Sequence, residues 1–190
     1  MLTILYSPHA TSTDNEAGRA SGHADVLLSP LGEQQAQRRT QDFAHEKVDV
    51  VFASDLQRAA VTARIAFAIR SIPITLDARL RECDYGDWTQ YPKEKIDEEF
   101  PKRITEPFPN GESVWMVVER VGAFLRDALH THDGETIVVI AHRATRYALD
   151  YWCGLQTLPE IISTPWEWRD VPIWRYSLTA EQLERRATGN

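Results

Sequence analysis

Three short apolar runs constrain this chain more than any other feature. Leu2–Tyr6, Val48–Phe52 and Thr136–Ala141 are brief, β-rich and nearly uninterrupted by polar residues. Runs of this kind read as parallel strands buried on both faces, because a half-exposed strand would alternate apolar with polar side chains. Helical patterns lie between them. Ser29-Pro30 offers an N-cap followed by proline at the first helical position, predicting a helix to about Ala44. Ser54-Asp55-Leu56-Gln57 has the form of a capping box, predicting a helix to about Ile69. After Ser113, the residues Val114, Val117, Val118, Val121, Phe124, Leu125 and Leu129 keep the helical period. A further helix is expected from about Ala144 to Cys153, stopped at Gly154. Ile74–Leu76 reads as a short strand and Ile173–Leu178 as an edge strand. Strands alternating with helices predict a three-layer α/β/α sandwich with a mainly parallel sheet.

The 190 residues suit one domain spanning 1–190, and 43% apolar content suffices for a core. The stretch from about 83 to 111 breaks the pattern. It is polar, holds Pro92, Pro101, Pro107 and Pro109, and offers only a short helix near Glu94–Glu99. We read it as a lid-like insertion over the sheet, and the tail after Thr179 as frayed. The net charge of −7 argues against nucleic acid as a partner. Cys83 and Cys153 make neither a disulfide framework nor a metal-ligand set. No run reaches the roughly 18 apolar residues of a membrane span, and the N-terminus lacks the pattern of a signal peptide. A cytoplasmic protein with no membrane partner is the expectation; a homodimer stays open as its assembly.

Each confident strand hands over to polar residues. The first leads to His9, Thr11 and Asn15, the second to Ser54, Asp55 and Arg58, the third to His142 and Arg143. Open α/β sheets bind ligands at the carboxyl ends of their strands. Two imidazoles and an arginine around helix N-termini would form an anion pocket there. A neutral imidazole can also act as a nucleophile towards phosphorus.

These residues carry a resemblance to the histidine phosphatase superfamily, the group that includes the cofactor-dependent phosphoglycerate mutases. His9 and Asn15 stand where that pattern has its first His and an Asn six residues on. Gly18, Arg19, Gly22, Asp25, Leu28, Ser29, Gly32, Gln35 and Ala36 follow the next block, with Ser29 in place of Thr. Ser54, Asp55, Leu56, Arg58, Ala59, Thr62 and Ala63 match another. Leu80, Arg81, Glu82, Gly86 and Trp88, then Gly111, Glu112 and Ser113, then His142, complete the ordered set. The resemblance implies a phosphoglycerate mutase-like fold and a metal-independent phosphatase acting on a small phosphomonoester, with no cofactor. It implies His9 as nucleophile, Glu82 as proton donor and then base, and His142 as a donor to the transferred group. Arg58 would bind the phosphoryl group and Asn15 would shape the pocket. Three positions depart from the pattern: Pro8 replaces Arg, Ala10 replaces Gly, and Arg143 replaces Gly. Arg143, or Arg146 one turn later, is the expected source of the missing guanidinium.

Other readings compete. Pro8 and Ala10 also suit a phosphate-binding protein with weak or no turnover. A phosphoglycerate mutase-like phosphotransferase is a further reading, less favoured because the insertion after Glu82 is short. A metal hydrolase using His9, His142 and Asp55 lacks metal-like spacing. Arg19, Arg81 and Lys102 could meet a second anionic group or face solvent. His45, His130 and His132 read as surface residues, His23 as a solvated loop residue that could also touch substrate, Cys83 as a buried apolar one, and Trp166, Trp168 and Trp174 as packing residues.

Overall fold

A computed structural model describes residues 1–154, 156–164 and 173–188. In chain order its elements are β1 (Leu2–Pro8), α1 (Thr13–Glu16), α2 (Pro30–Asp42), β2 (Val50–Ala53), α3 (Gln57–Ala66), β3 (Ile74–Leu76), α4 (Lys93–Glu99), α5 (Val114–His132), β4 (Thr136–Ala141), α6 (Arg143–Cys153), α7 (Leu158–Ser163), β5 (Trp174–Leu178) and α8 (Ala180–Thr188). The five strands form one sheet in the order β3-β2-β4-β1-β5. Four are mutually parallel, and β5 runs antiparallel to β1 at the edge. The fold is thus a three-layer α/β sandwich with a mainly parallel sheet.

Side-chain alternation along the central strands fills both layers. Leu5, Val138 and Ile140 face the side covered by α3, whereas Ile4, Tyr6, Val139 and Ala141 face α5 and α6. This is why the strands read as continuous apolar runs. Ser113 caps α5 through its side chain, accepting from the Met116 N–H. The buried stripe of α5 includes Val117, Val121, Phe124 and Leu125, each contributing about 1.5–3 kcal/mol when fully buried. Gly122 on this helix lies against the Trp152 ring of α6, where a Cβ would fall 2.4 Å from a ring carbon.

Three expectations change. The predicted capping box at Ser54 is absent. The Ser54 N–H is spent on the sheet, donating to the Ile140 carbonyl at 3.1 Å, so the Gln57 side chain cannot accept it as a capping box requires. α3 starts at Gln57, and its first free N–H is taken from afar by Asp25 Oδ1 at 2.7 Å. The same helix ends at Ala66, short of Ile69. The residues after Thr179 are helical, because Leu183 on α8 is buried in the core.

The segment between β3 and α5 contains α4 and short 3-10 turns at Ala78–Leu80, Gly86–Trp88 and Phe100–Arg103. It brings its own apolar anchors. Tyr85, Ile96, Phe100 and Phe108 are all buried against the main core. Trp174 on β5 packs on Tyr6, as a packing residue should; Trp166 and Trp168 lie outside the described residues. Among the described residues no helix is long and apolar enough to cross a membrane.

Candidate active site

Strand register alone makes two of the expected residues neighbours. β1 and β4 pair in parallel, and their last partners are Pro8 and Ala141. The next residue on each strand is a histidine, and the His9 N–H donates to the Ala141 carbonyl at 2.8 Å. The two ring centroids lie 5.0 Å apart. β1 leads towards the α2 side of the sheet and β4 into α6 on the other, so a crevice opens between them.

His9 is held in one tautomer. Its Nδ1 lies 2.7 Å from the Ala10 carbonyl oxygen. A carbonyl can only accept, so Nδ1 carries the hydrogen and Nε2 keeps its lone pair. Burial, then the charge of Arg58, lowers its pKa to about 3, leaving the ring neutral across the ordinary pH range. His142 is wholly buried, and neither ring nitrogen has a hydrogen-bond partner among the described residues. Burial and Arg58 depress its pKa as well. A buried imidazole with two unsatisfied nitrogens is costly unless a ligand completes it.

The loop after His9 is fixed from both sides. Ala10 N–H donates to Thr62 Oγ1 at 3.0 Å on α3. Thr11 N–H donates to Gln35 Oε1 at 2.9 Å on α2. Gly32 permits that close approach, since a Cβ there would sit 2.0 Å from the Thr11 oxygen. Arg58, in the first turn of α3, is only 1% exposed. Its two terminal nitrogens donate to the Ala24 and Gly22 carbonyls at 2.9 and 2.8 Å. Burial lowers its pKa.

Glu82 closes the crevice from the β3–α5 segment. Its Oε1 accepts from the N–H groups of Cys83 and Ala144 at 2.8 and 3.1 Å. The second bond ties it to the first turn of α6, beside His142. His23 and Arg120 hold the Glu82 carbonyl, each at 2.8 Å. His23 is therefore a structural contact, not the solvated loop residue expected. Cys83 is buried, as expected, and burial pushes its thiol well up.

A cavity of about 860 Å³ is lined by His9, Asn15, Arg58, Glu82, Tyr85 and Arg143 among others; His142 is wholly buried and is not part of that lining. Asn15 is exposed at its rim, and its Oδ1 caps α1 by accepting from the Ser12 N–H. Arg143 reaches the wall from α6, where Nη1 donates to Asp97 Oδ1 at 2.5 Å and the guanidinium lies 4.6 Å from the Phe100 ring centroid. Burial opposes its charge, but Tyr85, Tyr147 and Asp97 outweigh this and raise its pKa. Arg146 stacks on Trp174 instead. Arg19 is paired with Asp14, Arg81 with Asp55 and Lys102 with Glu99. Among the described residues, no group of three or more His, Cys, Asp or Glu could hold a metal ion.

Sequence reasoning missed Arg39, which also lines the cavity. The signal was present: Gly32, Ala36 and Arg39 follow one another at helical spacing on the buried face of α2.

With this geometry in view, comparison places the chain among known proteins. A sequence profile of the histidine phosphatase superfamily (branch 1) matches residues 7–163. Phosphoserine phosphatase 1 of Hydrogenobacter thermophilus is 31% identical over 163 residues, covering 82% of this chain and 76% of that protein. Among solved structures, Bacillus stearothermophilus YhfR superposes with a TM-score of 0.81 at 23% identity, covering 95% of this chain and 93% of the other. A mycobacterial glucosyl-3-phosphoglycerate phosphatase superposes at 0.77 with 22% identity, covering 86% and 87%.

Proposed function

The chain belongs to the histidine phosphatase superfamily, and from that premise we propose that it is a phosphatase that hydrolyses a small phosphomonoester through a phosphohistidine at His9. The observation that carries this reading is the fixed, neutral tautomer of His9, with Nδ1 committed to Ala10 and Nε2 free. In the first step Nε2 forms a bond to phosphorus while the bond from phosphorus to the ester oxygen breaks. Glu82, protonated at Oε2, gives its proton to that leaving oxygen. In the second step the Glu82 carboxylate takes a proton from water. The resulting hydroxide attacks phosphorus, and inorganic phosphate leaves with His9 restored.

Arg58 neutralises the phosphoryl oxygens, and its two carbonyl contacts fix the guanidinium in advance, so little reorganises during transfer. His142 completes one of its unsatisfied nitrogens on the same group. Arg143 and Asn15 bind the phosphorylated substrate from the cavity wall and rim. The residues from about 83 to 111 act as the lid of a single domain, with Tyr85 and Phe100 forming its inner face.

A second reading has one observation behind it: Pro8 offers no donor beside the nucleophile, which suits a phosphate binder with weak turnover. A panel of phosphomonoesters separates the two. It includes phosphoserine, because a relative is named for it, and uses His9→Ala as control. Turnover, with an acid-labile adduct of about 80 Da on His9 in quenched samples, supports the phosphatase. Saturable binding without turnover or adduct supports the binder.

A further inference from the structure

Arg39 has no ion-pair partner among the described residues, and Asp42, three residues on, acts on it only at longer range. Its side chain projects from α2 beneath the end of β1 and is 6% exposed. Nη1 donates to Ser7 Oγ at 2.9 Å and to the Pro8 carbonyl. Both acceptors are neutral. No carboxylate among the described residues forms an ion pair with it, and Nη2 and Nε make no hydrogen bond. A guanidinium carries five N–H donors, so most of its capacity is unspent. Burial pulls its pKa down to about 10, which still leaves it charged. A charge held this way is costly unless something compensates it.

Its position says what would compensate it. Arg39 lines the same cavity as His9 and Arg58. The carbonyl it grips belongs to Pro8, the residue before His9. Two buried guanidiniums, Arg39 and Arg58, thus flank one imidazole, each held only by neutral oxygens. Arg143, by contrast, is ion-paired with Asp97, a carboxylate it shares with Lys93.

We infer that Arg39 is a direct ligand of the substrate's phosphate, supplying from α2 the second guanidinium beside the nucleophile that Pro8 cannot. The inference rests on the phosphohistidine reading for its role in turnover, but not for anion binding. The ligand is a tetrahedral oxyanion, accepted by Nη2 and Nε as a two-point fork. Ser7 matters because its small hydroxylated side chain gives Nη1 an acceptor.

The test moves the charge. Turnover of p-nitrophenyl phosphate and inhibition by orthovanadate are measured for the wild type, Arg39→Met, Arg39→Lys, and Arg39→Met combined with Pro8→Arg. Arg39→Met is expected to lower kcat/KM by about 10²-fold and to weaken vanadate by about tenfold or more. Arg39→Lys keeps the charge but not the two-point fork, so it is expected to recover only part of the loss, about tenfold. Pro8→Arg, which restores a guanidinium from the strand, recovers about tenfold or more of the loss. A merely structural Arg39 would not respond to that relocation. Arg39→Met with unchanged turnover and vanadate affinity overturns the inference, as does a loss that neither Lys nor Pro8→Arg recovers.

Should Arg39→Met not fold, the wild-type protein decides. In nitrogen-15 NMR the Arg39 Nε–H resonance shifts on titration with inorganic phosphate; an unmoved resonance at saturating phosphate overturns the inference. His9→Ala in the same assay keeps the two readings apart. If it retains turnover, the phosphohistidine falls, while vanadate affinity and the NMR titration still decide Arg39.

Discussion

The inner and outer parts of the cavity treat positive charge in opposite ways. At the strand ends Arg39 and Arg58 are almost wholly buried and bonded only to carbonyl and hydroxyl oxygens. Towards the β3–α5 segment, Arg19, Lys93 and Arg143 are each paired with a carboxylate, Asp14 or Asp97. The difference teaches which positive charge is available to a ligand. An ion-paired guanidinium has spent its field and its donors, whereas one bonded to neutral oxygens keeps its net charge for an incoming anion. On the proposed reading the inner pair meets phosphate, while the outer Arg143–Asp97 pair ties α4 to α6.

Substitutions can break this contrast, beginning with the nucleophile between the inner cations. His9→Ala should lower turnover by about 10³-fold or more and abolish the labile adduct, since a covalent route has no substitute acceptor. Steady-state rates together with quenched-sample mass spectrometry check both. Arg58→Met should cost about 10²–10³ in kcat/KM, the scale of losing one donor aimed at developing charge. An unaltered kcat/KM would place the anion elsewhere. Arg143→Ala should act about tenfold, mainly on KM, because its charge is already shared with Asp97. If phosphate affinity and turnover both stay put, Arg143 is no ligand. Asp97→Asn sharpens the point: it frees Arg143, and KM should shift by only about two- to fivefold, as for a partly exposed pair.

The smallest effect concerns stability. His9 has a folded pKa of about 3 against an ordinary value of 6.5, so between those values the unfolded chain binds more protons. Stability is therefore fully present above 6.5 and declines as pH falls towards 3. His142, depressed in the same direction, adds to the slope. Urea midpoints should fall between roughly pH 7 and pH 4.5, and His9→Gln should flatten the decline. A slope identical in that variant would show that His9 does not drive it.

Local pattern revealed much of this arrangement, for reasons tied to particular residues. Thr136–Ala141 and Ile74–Leu76 form strands over the ranges expected; the first is buried almost throughout, whereas the second is a largely exposed edge strand held by its β-rich composition and its pairing with β2. Ser29 and Ser113 cap the helices they precede, since capping depends only on the next few residues. Ser54 did not follow this rule. Its N–H belongs to a sheet whose partner strand lies far along the chain, and the cap of α3 comes from Asp25. Leu183 likewise makes a helix of a polar tail by docking on a core that local sequence cannot reveal.

By itself, the sequence determined the α/β class and the two histidines at strand ends, because burial on both faces writes itself into short apolar runs. Only the tertiary structure decided which charges remain unspent. Arg143 and Arg39 are both arginines on helices near the site, indistinguishable by composition. One bonds to Asp97 and the other only to neutral oxygens, a difference set by the tertiary fold, which brings Asp97 of α4 to Arg143 and the end of β1 to Arg39.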